Sequence, residues 1–280
     1  MCPNKLTNTP QHEVKEAVIL SLILQYKITA AYDDNELMIP IYEKLNIPFF
    51  LVLNNKIKEY YMALKSKIEW TENSWNPVTG CDKYSAGCKN CYAEKMANRL
   101  YAMGQLKYKN KFQVTLHEES LNEPLKWKKP SKIFVCSMSD IFHKDVPFEF
   151  IDKIFNIMRQ SDWHIFQILT KRSDRLLEYS TRILWPKNVW AGVTVEHKNY
   201  ISRIDDLKQV QAPVKFISFE PLLSEIPYIN LENIQWVICG GESGPHAREV
   251  SIDWVRGIRD MAVNQNIPFL FKQWGGINKK

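Results

Sequence analysis

The chain is 280 residues long, 45% apolar and 24% charged, with a formal net charge of +6. This composition excludes a disordered or low-complexity chain, and the length holds one large α/β domain with a small appendage. The longest apolar run, near Val18 to Leu24, is far too short to span a bilayer, and the N-terminus MCPNKLTNTP lacks a basic-plus-apolar signal pattern, so a cytoplasmic protein with no membrane partner is expected.

Residues 1 to 62 read as a separate α/β appendage. His12 to Tyr26 has helical spacing of apolar residues. A strand at Ile28 to Tyr32 leads to Asp33 and Asp34. A helix at Glu36 to Leu45, broken by Pro40, precedes a strand at Pro48 to Asn54. This order of strand, acidic pair, helix and strand resembles the C-terminal part of a haloacid-dehalogenase-type phosphatase, whose aspartates there hold Mg²⁺. The nucleophilic aspartates of that family have no counterpart in the segment, and a carboxylate pair alone is a poor Mg²⁺ site. The expectation is an inactive remnant or accessory piece. A small structural cap with Asp33 and Asp34 in a turn leads to the same expectation.

The main domain is expected over residues 65 to 280, with Lys65 to Thr71 as a first strand. Three of the six cysteines, Cys81, Cys88 and Cys91, then fall within eleven residues as C-x6-C-x2-C. Gly80 and Gly87 each precede a cysteine and permit a tight backbone. From Tyr92 the pattern turns helical through Ala93, Met96, Ala97 and Leu100. A cysteine loop entering a helix N-terminus favours negative charge, such as a thiolate-ligated iron–sulfur cluster. Three readings are open at this point. A three-cysteine [4Fe–4S] cluster leaves one iron free for a ligand. A structural zinc site needs a fourth ligand, to be found at Cys136, Cys239 or a His. The cysteines can also be merely buried or disulfide-forming.

After an extended connection from Phe112 to Lys129, strands and helices alternate. Strands are expected at Lys132–Cys136, His164–Leu169, Asn188–Val195, Val214–Phe219, Gln235–Cys239 and Pro268–Lys272. Helices are expected at Pro147–Gln160, Ser173–Tyr179, His197–Lys208 and Ser251–Asn264. About six βα units predict a partial or full parallel (β/α) barrel, with function beyond the C-terminal strand ends. The basic run Leu125 to Lys132 reads as a solvated connection before a strand or, less simply, as a phosphate-binding patch.

Those strand ends are polar in turn. They deliver Ser139 and Asp140, then Lys171, Glu196, Glu220 and finally Gly240-Gly241-Glu242. Each residue alone also fits a cap, a turn or a structural ion pair, such as Asp140 with Lys171. Together they predict a mouth that binds a ligand, because such groups are costly to bury without partners. No residue stands out as catalytic.

In order, WNPVTGC, GCKNCYAEKMA, VCSMSDIFH, FQILTKR, VWAGVTVE, SFEPLL, WVICGGESGP and FLFKQWG resemble a phage and prophage family of uncharacterised function known by its three-cysteine motif. That family is similar to a branch of the radical S-adenosylmethionine (SAM) superfamily, and GC…C-x2-CYA resembles its spore-photoproduct-lyase-like members. The resemblance covers about Ser66 to Gly276. It implies that Cys81, Cys88 and Cys91 each ligate one iron of a [4Fe–4S] cluster whose fourth iron chelates SAM. Reductive cleavage then yields a 5′-deoxyadenosyl radical that abstracts hydrogen from substrate. Ser139, Asp140, Lys171, Glu196, Glu220, Gly240, Gly241 and Glu242 are the implied cofactor- or substrate-binding residues. Phage context implies a nucleobase, nucleoside or nucleic acid as substrate, and a protein partner encoded nearby. Two departures stand out. The first cysteine gap is six where the superfamily has three, and Asn90 replaces the aromatic residue before the last cysteine. The alternative is a zinc- or cluster-stabilised nucleic-acid-binding or nuclease-like protein without radical chemistry.

Overall fold

A computed structural model describes residues 70–276 and, upstream, three short strands at 31–33, 49–53 and 56–58. β1 (Ala31–Asp33) pairs in parallel with β2 (Phe49–Leu53). β3 (Lys56–Lys58), which the pattern did not announce, adds antiparallel to β2. The helices expected at 12–26 and 36–45 lie outside the described residues.

The first strand of the main sheet is β4 (Asn73–Trp75). The expected strand at Lys65 to Thr71 is displaced: Trp70 and Thr71 precede the sheet, and residues 65–69 lie outside the described residues. β5 (Val78–Thr79) and β6 (Thr115–Leu116) make an antiparallel ribbon beside the cysteine loop. Two-residue strands are too short to show a period, so the connection after Phe112 read only as extended. α1 (Tyr92–Ala102) and α2 (Glu123–Lys126) complete this part.

From there the alternation holds. β7 (Lys132–Val135), α3 (Phe148–Gln160), β8 (Ile165–Thr170), α4 (Ser173–Ser180), β9 (Val189–Thr194), α5 (Ser202–Gln209), β10 (Lys215–Phe219), β11 (Trp236–Gly240), α6 (Ile252–Asn264) and β12 (Phe269–Gln273) follow in order. All seven strands are parallel, and β4-β7-β8-β9-β10-β11-β12 stand side by side in sequence order. The sheet curls into a half-barrel with helices outside. Only β10 and β11 are joined without a helix.

Period-2 alternation sorts each strand into two faces. Outward residues such as Phe166, Ile168, Val193, Ile217, Phe219 and Val237 join the main core. α3 meets it with Ile151, Ile154, Phe155 and Met158, a stripe spaced at three and four residues. The inward face carries a second, smaller cluster of Trp70, Phe134, Phe216, Ile238 and Leu270. Along each inward row the character changes toward the C-terminal end. Phe216 gives way to Ser218 and Glu220, Ile238 to Gly240 and Glu242, and Leu270 to Lys272. The half-barrel therefore has an apolar floor and a polar mouth.

Gly192 on β9 makes the floor possible, because a Cβ there would stand 2.4 Å from the Phe216 ring. That ring is wedged 6.0 Å from Trp70 and 5.5 Å from Trp236. Gly192→Ala is expected to cost about 1–3 kcal/mol by overpacking. The denaturant midpoint reads this, and an unchanged midpoint would show that the floor has room to spare.

Candidate iron–sulfur site at the barrel mouth

A cavity of about 260 Å³ opens at the C-terminal end of the sheet. Its lining takes Trp70, Phe134 and Leu169 from the floor, and Asp140, Lys171, Arg172, Thr194, Ser218, Glu220, Glu242 and Lys272 from the strand ends. Cys81, Cys88 and Cys91 all line it. All three are free thiols of intermediate exposure. No disulfide joins them, and none of the three is fully buried.

The cysteine loop is fixed from several strands at once. Gly80 holds φ at +83°, and its would-be Cβ overlaps the Gln113 carbonyl oxygen at 2.1 Å, so only glycine fits ahead of Cys81. The Ser139 hydroxyl donates to the Gly80 carbonyl at 2.6 Å. The Gly87 N–H donates to Glu196 Oε1 at 3.3 Å, and the Ser85 hydroxyl donates to the same oxygen. Asn90 Nδ2 donates to Glu242 Oε2 at 2.9 Å, and Arg248 Nη1 to the Ala86 carbonyl at 3.0 Å. The Tyr92 hydroxyl donates to the Ser137 carbonyl at 2.5 Å. Cys91 itself stands at the N-cap of α1, and its carbonyl accepts from Lys95 N–H at 3.4 Å.

Several predicted ligand-binding residues thus have a different immediate task. Glu196 is fully buried, is absent from the cavity wall and pairs with Arg203 at 2.8 Å. Burial pushes its carboxyl pKa up, but Lys171, Arg203 and the Ser85 hydroxyl outweigh burial and leave it below the ordinary value. Glu242 lines the cavity while bound by Arg248 at 2.5 Å. Burial opposes its ionisation, yet hydrogen bonds from Arg248 and Asn90 hold its pKa down at about 2. Neither carboxylate caps a helix or stands idle; both tether the cysteine loop.

Asp140 does not pair with Lys171. It accepts from the Thr170 hydroxyl at 2.7 Å, the Phe142 N–H at 3.0 Å and the Lys171 backbone N–H at 3.2 Å, and it pairs with Arg172 at 3.1 Å. Glu220 pairs with Lys272 at 3.0 Å across the mouth and accepts from the Ser218 hydroxyl. Gly240 lies under Glu220, where a Cβ would meet Oε1 at 2.9 Å, and Gly241 packs on the Trp274 backbone. The Lys171 side chain faces the cavity, its charge felt at Glu196. Trp75 is core, its indole N–H donating to the Ser120 carbonyl at 2.8 Å. Trp70 forms floor, with its Nε1 donor unpaired.

Sequence reasoning gave no role to four supporting residues, Asp82, Arg172, Arg203 and Arg248. Asp82, next to Cys81, is gripped by Arg172 and faces His143 Nε2 at 3.1 Å. Burial raises its pKa, and the charges of His143 and Arg172 more than cancel that. Arg172 also reaches the Cys81 sulfur at 3.6 Å. Arg203 and Arg248 lie seven and six residues past the carboxylates they serve. The one available signal was a basic residue on the element following each strand-end acid.

The donor set tests two metal readings. Cys81 Sγ, an Asp82 oxygen and a His143 nitrogen lie within 4.8 Å of one another, which alone could hold a single ion. The Arg172 guanidinium occupies the same place, and a divalent cation beside it is repelled. Cys88 and Cys91 also stand outside that group. Three thiols along one loop, at a helix N-terminus with Arg172 and Lys171 close by, instead suit an anionic thiolate-ligated cluster.

A family model described as "Protein of unknown function (DUF5131)" matches residues 65–280. No curated protein matches. Among solved structures, the chain is similar to a variant of spore photoproduct lyase over 88% of this chain and 99% of that one, at 9% identity and a TM-score of 0.49. A second variant of that lyase covers the same shares at 10% identity and a TM-score of 0.47. The lyase complexed with dinucleoside spore photoproduct matches over 84% and 82%, at 11% identity and a TM-score of 0.42. This likeness is faint and carries no function to the present chain.

Proposed function

We propose that this chain, which belongs to the DUF5131 family of unknown function, is a radical-SAM-like iron–sulfur enzyme acting on a nucleobase or nucleic acid. Cys81, Cys88 and Cys91 would hold a [4Fe–4S] cluster with SAM on its open iron. The observation that carries this reading is three free cysteines on one multiply tethered loop, facing a polar-mouthed cavity, while the imidazole near Cys81, that of His143, is engaged by Asp82 and Asp145 beside the Arg172 guanidinium. Cys136, the other cysteine in the wall, is buried and its thiol is pushed up to about 12. Bound there, the cluster supplies the electron for reductive cleavage of SAM.

The chain's own residues do the rest. Arg172 donates toward the Cys81 sulfur, and such N–H to sulfur bonds help set cluster potential. Lys171 and Lys272 offer cations to a carboxylate, while Asp140, Glu220 and Glu242 offer acceptors to an ammonium or hydroxyl. Trp70, Phe134 and Leu169 close the bottom of the cavity against water.

The test is anaerobic purification and reconstitution with iron and sulfide, followed by EPR with and without SAM. About four irons per chain and a SAM-perturbed EPR signal are expected, with 5′-deoxyadenosine formed under reduction. A colourless protein with one tightly held zinc overturns the reading and favours a zinc-stabilised nucleic-acid-binding protein. A cluster that never yields 5′-deoxyadenosine removes the radical chemistry alone.

A further inference from the structure

The chain's net charge is not spread over its surface. Seven of its 37 basic residues and one of its 31 acids fall between Lys83 and Lys111. This 29-residue segment therefore carries a net +6, the whole formal charge of the protein, and the other 251 residues hold thirty of each sign. Asp82, just ahead, is held by Arg172. The lone acid, Glu94, sits 3.5 Å from Lys83. Lys89, Lys95, Arg99, Lys109 and Lys111 are exposed, with no acidic partner among the described residues.

The segment is also where apolar and aromatic side chains reach solvent. Among the described residues, six of thirteen exposed large hydrophobics lie in it, including Tyr84 at 46%, Tyr92 at 48% and Tyr101 at 45%. α1 explains the pattern. Ala93 and Ala97, four residues apart, are buried against Met138, and their small size lets the helix sit close to the end of the sheet. Lys95 and Arg99 then fall on the opposite, outward face, with Tyr92 and Tyr101 on its flanks. Cys91, Tyr92 and Ala93 at the start of α1 line the cavity, so this face begins at the mouth.

Lysines and arginines interleaved with exposed tyrosines match a strand with phosphates on the outside and free base faces. Cations track the backbone, and ring stacking accepts any base. We propose that the Lys83–Lys111 face docks a single-stranded nucleic acid and leads one of its bases into the cavity. This deepens the enzymatic reading given above and rests on it for the chemistry, but the docking itself needs no cluster. The basic run Leu125 to Lys132 lies at the other end of the sheet, where β7 begins, and is outside the docking face.

The test uses the full chain and a fluorescently labelled 20-nucleotide single strand, read by anisotropy across a salt series. The comparison ligands are a duplex of equal length and polyglutamate. Lys95→Glu/Arg99→Glu is expected to weaken single-strand binding at least tenfold and to flatten its salt dependence. Lys95→Gln/Arg99→Gln is expected to give a smaller loss in the same direction, which guards against a folding defect in the reversal. Lys128→Glu/Lys129→Glu should stay within twofold of wild type. Equal losses in both reversal pairs, or polyglutamate and duplex binding as tightly as the single strand, overturn the proposal. Iron content and 5′-deoxyadenosine formation are measured on the same preparations. A loaded, SAM-cleaving protein with no single-strand preference sinks the docking face alone. A cluster-free protein that still shows the tenfold loss supports the face and sinks the enzymatic reading.

Discussion

Cys88→Ala is expected to reduce bound iron from about four per chain to less than about one after anaerobic reconstitution, with the EPR signal lost. A three-thiolate site has no spare ligand, so removing one leaves two irons without protein ligation. The Cys88 sulfur has no strong competing partner, since among the described residues its hydrogen-bond contact is the Ser85 hydroxyl at 3.9 Å. Its position is fixed instead by the backbone around it, through Glu196 to Gly87 and Ser85 and through Glu242 to Asn90. Cys136→Ala and Cys239→Ala are the controls. Both thiols are buried and pushed up by desolvation, which the charge of Lys107 does not offset at Cys136 and no cation opposes at Cys239. Cys81 is also raised to about 12 by burial, but Arg172 stands at its sulfur and pulls the other way. Full iron retention by Cys88→Ala, or equal loss from Cys136→Ala, would falsify the ligand assignment.

The architecture was legible because a parallel half-barrel writes itself locally. KIFV, IFQILT and KFISF are short apolar runs, each bounded by polar residues, and the helices between them keep their own period. The polar mouth was legible for the same reason, since a period-2 row that begins at Phe216 and ends at Glu220 must turn polar at one end. What each mouth residue does was not legible. Ser85 and Glu196 are 111 positions apart, and Asn90 and Glu242 are 152 apart. No local pattern links such pairs. The sequence offers Glu196 as a ligand-binding or capping group, and nothing in VTVEH tells that its carboxylate turns toward Arg203 and the cysteine loop.

These tethers bear on the unusual spacing of the cysteines. A six-residue gap between Cys81 and Cys88 adds chain that must be ordered, at an entropic cost of roughly 1–2 kcal/mol per residue. Asp82, Ser85, Ala86 and Gly87, all inside the gap, each have a partner outside the loop, Arg172 for Asp82, Glu196 for Ser85 and Gly87, and Arg248 for Ala86. The longer loop thereby has four anchored residues for its three extra ones. Asn90, which stands where an aromatic residue was expected, supplies one more through Glu242 and through the His246 carbonyl at 3.1 Å. Both departures are accounted for by hydrogen bonding to the strand ends.

Glu196 is where stability and cluster retention can be separated. Glu196→Ala removes the partner of Arg203, whose side chain is only 6% exposed, and leaves an unpaired buried cation. The expected cost is about 3–5 kcal/mol, or roughly a 10 °C fall in melting temperature for a domain of this size. Glu196→Gln retains an oxygen for the Ser85 hydroxyl and the Gly87 N–H but abandons the charge. It should therefore melt early and still hold iron. The double variant Glu196→Leu/Arg203→Met removes both charges together, and such replacements of a buried pair are often neutral. It should melt near wild type, yet release iron to a chelator at least about tenfold faster, because the loop has lost its two bonds to Glu196. The Lys171 charge, which also faces Glu196, remains in every variant and keeps the comparison fair. A double variant that melts normally and keeps its iron as long as wild type would show that Glu196 is a counter-ion to Arg203 and nothing more.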